Sequence, residues 1–390
     1  MINPPAAQRP YLRVGFATPS LAMGGAERWI LSLAKNMRAM RASCIGHFGS
    51  AQHYAIAEEA SRICPVYSSE GAPCATVLPS RQAVASTLID NSDVIVTWGI
   101  ADTLGLFHQC GKPVVDVSHN EARYQENRVL VANSWKGVTH LVGVSEAAAR
   151  CYPDKCQDEV HVIYNGIEVD RIAPRRSRAD MRAKHKIPAD ANMMLFLGRM
   201  CPFKHPELLL RALHHLDDSW IVAYVGDGEK LQSLQEEAGY IGNRRVRFFP
   251  VSMHVGDYYN MSDVFVLPSE YEGFPLAMIE AWMAGVPVVC TPFACTQELT
   301  RLHGNVCQLI PDRATPQDLA NAVLQIKANG GRESEMVLTA RGAAWTNYTA
   351  AAMAYRWESY LAWVMAGWQS MMLETVSQSR DKVLYQGDSL

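Results

Sequence analysis

The chain has 390 residues, too many for one ordinary hydrophobic core, which predicts two domains of about 150–200 residues each. Hydrophobic residues make up 48% and charged residues 19%, a globular composition that argues against disorder. The formal net charge is −3, and residues 1–170 carry 14 Lys and Arg against 16 Asp and Glu, so there is no general attraction to nucleic acid. A local basic patch, and with it peripheral membrane association, stays open.

Export and membrane insertion are not indicated. Residues 1–10 contain no apolar core of a signal peptide, and no stretch reaches the roughly 18 apolar residues of a membrane-spanning helix. Ten cysteines are present without a Cys-x-x-Cys pair. These features predict a cytoplasmic protein with reduced thiols.

In the first half, short apolar segments alternate with segments of helical period. Strands are predicted at residues 13–18, 93–97, 113–117, 140–144 and 160–163. These segments are mostly apolar, and apolar and polar residues do not alternate regularly along them, as expected for parallel strands buried on both faces. Residues 1–170 are therefore predicted to form a Rossmann-like doubly wound α/β domain, which closes at the Asn165-Gly166 turn.

The second half repeats this pattern. The polar, basic stretch 171–186 is interpreted as the connection between domains. Strands are then predicted at residues 193–197, 220–225, 246–249, 263–267 and 286–290, which makes residues 171–345 a second domain of the same architecture. Residues 346–390 lack a strand pattern and begin an aromatic-rich helix, expected to pack across both domains and to return toward the first.

The most informative motif is Pro268-Ser-Glu-Tyr-Glu-Gly-Phe-Pro-Leu-Ala-Met-Ile-Glu280. It reads as the end of a strand, a loop, and a helix that begins with Pro275. Ligands of open parallel sheets bind beyond the carboxyl ends of strands, and the free N–H groups of a helix start attract anions. Glu272 and Glu280 therefore become candidates for hydrogen bonds to sugar and ribose hydroxyls; taken alone, they could equally be solvated surface acids.

Two cations follow another predicted strand. Arg199 and Lys204 lie just after residues 193–197, so they belong to a second carboxyl-end loop of the same sheet. A diphosphate leaving group needs positive charge that becomes more important as its bond to carbon breaks. These cations are therefore candidates for diphosphate binding.

Together, these motifs resemble family 4 of the retaining glycosyltransferases. The resemblance spans residues 12 to about 365 and rests on Gly198-Arg199 with Lys204, Glu272-Gly-Phe with Glu280, Asn165-Gly166-Ile167 and Gly24-Gly25-Ala26-Glu27. It implies the GT-B fold, in which two Rossmann-like domains face one another. It also implies transfer of a hexose-type sugar, with retention, from a UDP- or GDP-sugar to a hydroxyl acceptor in polysaccharide or glycoconjugate biosynthesis.

The resemblance assigns roles residue by residue. Arg199 and Lys204 would hold the diphosphate, and Glu272 would contact the 3- or 4-hydroxyl of the donor sugar. Gly273 and Phe274 would offer backbone N–H groups nearby.

Three further residues receive roles from the same resemblance. Glu280 would bind the ribose hydroxyls, and Gly25 would bring its N–H toward the phosphate. His119 matches the family's catalytic-site histidine, although a loop histidine of this kind is often an ordinary one.

The sequence also departs from the family. Ala294 and Cys295 stand where the family often has two glycines, which leaves the matching of Glu298 open. Pro250 replaces a common glycine after the strand at 246–249, which leaves UDP and GDP both open. The acceptor is open as well, with carbohydrate, lipid-linked and small-molecule classes all compatible.

Motifs for other chemistry are missing. There is no Asp-x-Asp metal motif in a plausible loop, no Gly-x-Gly-x-x-Gly after the first strand and no Walker lysine motif. We therefore predict catalysis without a metal and without a cofactor, the nucleotide-sugar being a co-substrate. The alternatives are a glycoside hydrolase that uses Glu272 and Glu280, a nucleotide-sugar epimerase of the same fold, and a non-catalytic nucleotide-sugar-binding protein.

Overall fold

The computed structural model describes residues 11–22, 24–49, 55–100, 103–120, 137–152, 159–241 and 244–385. Within these ranges there are two parallel sheets, one built before residue 163 and one after residue 191. The predicted pair of doubly wound α/β domains is confirmed.

The first sheet has the order β4-β3-β2-β1-β5-β6-β7-β8 among the described residues. Its strands are β1 Leu12–Thr18, β2 Met40–His47, β3 Val66–Ser68, β4 Thr76–Val77, β5 Val94–Trp98, β6 Val114–Ser118, β7 His140–Gly143 and β8 Val160–Val162. The five predicted strands of this half are confirmed within two residues at each end. Sequence patterns missed β2, whose first half mixes apolar and polar residues and is only partly buried. They also missed β3 and β4, which are too short to show a regular alternation of apolar and polar residues.

The second sheet has the order β11-β10-β9-β12-β13-β14 in the described part of the chain. Its strands are β9 Asn192–Leu197, β10 Trp220–Val225, β11 Val246–Phe249, β12 Val264–Leu267, β13 Val288–Cys290 and β14 Gln308–Leu309. The chain adds strands on one side of β9 and then returns to add β12 to β14 on the other side. The boundary between β9 and β12 is therefore the topological switch point of this sheet, where ligands of such folds bind.

Helices cover both sheets. In the first domain they are α1 Gly25–Asn36, α2 Ala57–Ser61, α3 Arg81–Asn91 and α4 Glu146–Ala149. The helices that follow are α5 Val169–Ile172, α6 Arg178–Lys184, α7 Glu207–Ala212, α8 Leu231–Ile241, α9 Gly256–Met261, α10 Leu276–Met283, α11 Ala294–His303, α12 Pro316–Ala328, α13 Glu335–Asn347 and α14 Ala350–Tyr385.

The stretch 171–186 is more ordered than a solvated linker. Most of it is helical, in α5 and α6, and its arginines bind the second domain. Arg182 donates to the carbonyl of Met261 and to Asp263, while Arg178 also pairs with Asp263. These arginines satisfy carbonyls at the carboxyl end of α9 and directly before β9.

The long helix α14 returns to the first domain, as the sequence predicted. Residue 349 bridges to Ile167, and Trp357 is fully buried with its ring centroid 5.4 Å from that of Trp29 on α1. The Glu358 carboxylate accepts hydrogen bonds from the backbone N–H groups of residues 38–40 at 2.6–2.9 Å. In the described ranges, none of the helices combines the length and apolar character needed to cross a bilayer.

Candidate active site

The carboxyl edges of the two sheets meet. His119 follows β6 of the first sheet, and Gly273 lies in the loop after β12 of the second. A Cβ atom on Gly273 would lie 1.9 Å from the backbone oxygen of His119, so the two backbones are in direct contact. Only glycine fits at this contact, and the loop after β12 is thereby held against the first domain.

Lys204 and Glu272 come together at the switch point. The Lys204 Nζ lies 2.7 Å from Glu272 Oε1, and the two side chains are 18% and 15% exposed. Ser269 donates a second hydrogen bond to the same oxygen at 2.9 Å. This partly buried pair presents a cation and a carboxylate side by side, a combination that binds a ligand carrying both an anionic group and hydroxyls.

Arg199 lies in the same loop as Lys204. Its side chain is exposed and has no ion-pair partner among the described residues. Burial raises the pKa of the nearby Cys201 thiol, and the charges of Lys204, Arg199 and Glu272 also act on it. Lys204, Arg199 and Glu272 therefore all lie in the neighbourhood of Cys201.

The loop after β9 is supported by glycines in the loop after β10. Gly226 and Gly228 have φ values of +143° and +147°, and a Cβ on them would lie 2.1 Å and 2.4 Å from the carbonyl oxygens of Gly198 and Met200. These two glycines belong to a turn at residues 226–228, directly after β10. The structure shows that this turn sets the position of the backbone on both sides of Arg199.

Two helix N-termini face each other across the domains. A Cβ on Gly25, at the start of α1, would lie 3.1 Å from the Cδ1 atom of Leu276, at the start of α10. Helix α10 begins one residue later than predicted, because Pro275 is its N-cap. Both starts leave backbone N–H groups without intrahelical partners, and both dipoles favour negative charge in the space between them.

Glu280 is buried rather than open to solvent. Arg171 Nε lies 2.6 Å from its Oε1 atom, and the Tyr259 hydroxyl donates to Oε2 at 3.0 Å. The Glu280 side chain is only 5% exposed. A carboxylate has about four lone-pair positions, so each oxygen keeps one for a further donor.

His119 is held between aromatic rings. Its ring centroid lies 4.8 Å from that of Trp29 and 5.6 Å from that of Trp98. Burial lowers the pKa of His119 to about 3, so its imidazole is neutral at neutral pH. The Nε2 atom is buried and has no hydrogen-bond partner in the described part of the protein. His119 can therefore serve a substrate as a neutral hydrogen-bonding group but brings no charge.

Several contacts hold the first domain against the loop after β12. The Ser145 hydroxyl, which caps α4, donates to the backbone oxygen of Gly273. The Phe274 ring packs 5.8 Å from Tyr164 and 5.5 Å from Tyr348, so only its backbone remains a candidate for ligand contact.

Glu298 also joins the domains. Its carboxylate accepts from the backbone N–H groups of Glu146 and Ala147 at 3.0 and 3.2 Å, and from the Tyr164 hydroxyl at 2.6 Å. Glu298 therefore caps a helix of the opposite domain. The sequence left the matching of this residue open.

The structure thus joins Lys204 with Glu272 and brings Gly273 against His119. It places Gly25 at a helix start facing α10 and pairs Glu280 with a cation that sequence reasoning missed. Arg171 and Ser145 carry no local signal of a site, because each acts on a residue more than 100 positions away.

Residues 177–343 match a family model described as glycosyl transferases group 1. We call this matched segment, residues 177–343, the group 1 domain. It contains Arg199, Lys204, Glu272 and Glu280, which are all of the predicted donor-side charges.

Curated relatives of the chain are glycosyltransferases by name. A D-inositol 3-phosphate glycosyltransferase of Streptomyces scabiei is 37% identical over 175 residues, which are 41% of this chain and 37% of that protein. A putative teichuronic acid biosynthesis glycosyltransferase, TuaC of Bacillus subtilis, is 31% identical over 163 residues, 40% of this chain and 39% of that protein. The chain thus spans about two fifths of the length of these relatives.

Solved structures match over both domains. Anabaena Alr3699/HepE in complex with UDP and glucose gives a TM-score of 0.76 at 19% identity, and covers 90% of this chain and 100% of that chain. WaaG, a glycosyltransferase involved in lipopolysaccharide biosynthesis, gives 0.60 at 16% identity and covers 88% and 98%. The group 1 domain is therefore one half of a GT-B fold, which confirms the predicted architecture.

Proposed function

We propose that this protein is a retaining glycosyltransferase of family 4 type, which moves a hexose-type sugar from a UDP- or GDP-sugar to a hydroxyl acceptor. The observation that carries the proposal is the Lys204–Glu272 pair at the switch point of the group 1 domain, where the opposite domain touches the same loop. The Anabaena neighbour, whose solved complex contains UDP and glucose, supports UDP as the first nucleotide to test.

In this proposal the diphosphate occupies the space beside Arg199, Lys204 and the starts of α1 and α10. The donor sugar hydroxyls bind Glu272, and the backbone N–H groups of Gly273 and Phe274 lie alongside. Glu280 accepts from the ribose hydroxyls with its remaining lone pairs. This division follows charge, because the cations and helix starts bind the anionic diphosphate and the carboxylates accept hydrogen bonds from the hydroxyls.

The proposed reaction is a substitution on one face of the sugar. The bond from the anomeric carbon to the diphosphate oxygen breaks, and the acceptor hydroxyl attacks from the same side. Its proton passes to the departing phosphate oxygen, so no protein group has to act as the base. The protein contributes positioning and stabilisation of the charge that grows on the diphosphate. His119 contributes a neutral hydrogen bond, consistent with its lowered pKa.

The ion pairs argue against a glycoside hydrolase. Such an enzyme needs one carboxyl group as a proton donor. Here Lys204 contacts Glu272 and Arg171 contacts Glu280, so each carboxylate is already paired with a cation of the protein. A hydrolase also has no use for Arg199. The epimerase and the non-catalytic binder use the same donor residues, and only turnover separates them from a transferase.

The direct test measures release of UDP or GDP from a panel of UDP- and GDP-hexoses, with and without acceptor. Inositol phosphates and cell-surface glycans are the first acceptors to try, because the names of the curated relatives point to them. A transferase forms a glycoside whose anomeric configuration, read by NMR, equals that of the donor. A product of inverted configuration would contradict the retaining mechanism. Conversion of the donor in the absence of acceptor would indicate an epimerase, and binding without turnover would indicate a non-catalytic nucleotide-sugar-binding protein.

Metal independence is part of the proposal, because Arg199, Lys204 and two helix starts supply the positive charge. We expect EDTA to leave the rate of transfer unchanged in the same assay. A strong loss that Mg²⁺ or Mn²⁺ restores would contradict this part. A cytoplasmic location and the lack of a cofactor stay predictions from the sequence.

Arg199→Ala is expected to weaken binding of nucleoside diphosphate roughly ten- to hundred-fold, because one charged hydrogen bond of about 1.5–3 kcal/mol is lost. Isothermal titration with UDP and GDP measures the change. Arg244→Ala is the matched control: it removes another exposed arginine, at the amino end of β11 and thus at the opposite edge of the sheet. Equal affinity in the Arg199→Ala variant and the wild type would remove Arg199 from the diphosphate site.

A further inference from the structure

Arg171 contacts two parts of the group 1 domain, each of which lies more than 80 positions away from it in sequence. It lies on the short helix α5, in the stretch that joins the domains, and its side chain is only 16% exposed. Its Nε donates to Glu280 Oε1 at 2.6 Å, and one of its terminal nitrogens donates to the backbone oxygen of Met253 at 2.9 Å. One guanidinium therefore fixes the carboxylate of α10 and the loop after β11 relative to each other.

The contact places Glu280 beside the loop that follows β11. Lys204 and Glu272 lie between β9 and β12, whereas the loop at residues 250–255 follows β11, at one end of the sheet. Glu280 is tied by Arg171 to this loop and not to the loops after β13 or β14 among the described contacts. Arg171 therefore joins Glu280 to residues 250–255 on the side of the sheet that carries β11.

This loop has an ordered conformation. The Ser252 hydroxyl donates to the backbone oxygen of His254 at 2.7 Å and accepts from the His254 N–H at 3.2 Å. The first domain touches the loop as well, because Arg28 on α1 lies 3.5 Å from the Met253 sulfur. The loop thus offers backbone groups at a position set by Arg171 on one side and by α1 on the other.

We propose that Arg171 is a positioning residue that holds Glu280 and residues 250–255 together as the subsite for the nucleoside half of the donor. The inference rests on the proposed function. In this arrangement, Glu280 accepts from the ribose hydroxyls while the backbone of residues 250–255 faces the base. Arg171 itself contacts neither; the guanidinium fork sets the distance between the two, and a single ammonium group cannot make both contacts in the same geometry.

The role separates nucleoside binding from diphosphate binding. Burial alone lowers the pKa of Arg171, but the Glu280 carboxylate outweighs it and the net pKa is raised, so the residue stays a cation. That charge is taken up by Glu280 and is not directed at phosphate. Loss of Arg171 should therefore affect ligands that carry a nucleoside and spare inorganic pyrophosphate.

The experiment compares binding of UDP, GDP and inorganic pyrophosphate to the full chain by isothermal titration. For Arg171→Gln we expect at least a tenfold loss of affinity for the preferred nucleoside diphosphate and less than a twofold change for pyrophosphate. Arg171→Lys keeps the charge beside buried Glu280 and is expected to fold if the Gln variant does not; its loss should be smaller and equally selective. Arg199→Ala is the comparison, because it should weaken both ligands.

The outcomes distinguish this inference from the proposed function. Equal losses for both ligands, or no loss for either, would overturn the role of Arg171 while wild-type binding still supports a glycosyltransferase. A wild-type protein that binds none of the three ligands would overturn both. Glu280→Gln and the variant that combines it with Arg171→Gln complete a double-mutant cycle. The effects of the two single changes on nucleoside diphosphate binding should not add, because both disturb the same contact. Additive effects would contradict the positioning role.

Discussion

Replacing Glu272 by Gln is expected to lower kcat at least tenfold, with a smaller effect on KM. The substitution keeps the shape of the side chain but removes the charge that faces Lys204 at 2.7 Å and that would bind the donor sugar as its transition state forms. Lys204 would then lose its fixed position beside the diphosphate. Initial rates at several donor concentrations, measured as release of nucleoside diphosphate in the presence of acceptor, separate kcat from KM.

Glu237→Gln is the matched control for this change. Glu237 also pairs with a cation, Arg211, at 2.8 Å, but this pair is exposed on α8, away from the switch point. The control variant should keep wild-type rates. If the Glu272→Gln variant also kept wild-type rates, Glu272 would have no part in the reaction. The Lys204–Glu272 pair would then no longer support the proposed function.

Gly273→Ala should reduce turnover about a hundredfold while the protein stays folded. The added methyl group would lie 1.9 Å from the backbone oxygen of His119, a distance that no relaxation of side chains alone can relieve. Either the domains separate or the loop that carries Glu272 moves, and a displacement of about 1 Å at a reacting centre can cost about a hundredfold in rate. Turnover and the melting temperature are measured on the same preparation.

Gly342→Ala provides the comparison. Gly342 lies within α13, and a Cβ atom there would meet no heavy atom within 4 Å. This variant should keep full activity and gain slightly in stability, because alanine favours helix more than glycine by about 1 kcal/mol. A Gly273→Ala protein with wild-type turnover would show that contact between the domains is not required in the active state.

Most of the architecture is predictable from sequence because buried parallel strands leave a clear local pattern. Strands such as β10, in which all six residues are buried, read as short apolar runs. β2 was missed because its first half mixes apolar and polar residues without a regular alternation, and its pairing with β1 depends on neighbours rather than on its own pattern. The helical structure within 171–186 was missed because its arginines bind carbonyls that no local pattern identifies.

The site was predictable to the extent that it lies at strand ends. Lys204 and Glu272 follow β9 and β12, so adjacency of the strands alone brings them together. The burial of Glu280 was not predictable, because it depends on Arg171, which is 109 positions away. Likewise, the capping of α4 by Glu298 joins residues more than 150 positions apart. Such contacts arise only when the domains come together.

The path of α14 has a consequence for the order in which the protein is made. Trp29, near the beginning of the chain, is covered by Trp357, and the backbone N–H groups of residues 38–40 donate to the carboxylate of Glu358. On a ribosome, the first domain therefore emerges with part of its apolar surface uncovered, and it cannot complete its packing until more than 300 further residues have been synthesised. During that interval its apolar surface around Trp29 is open to aggregation and to chaperones.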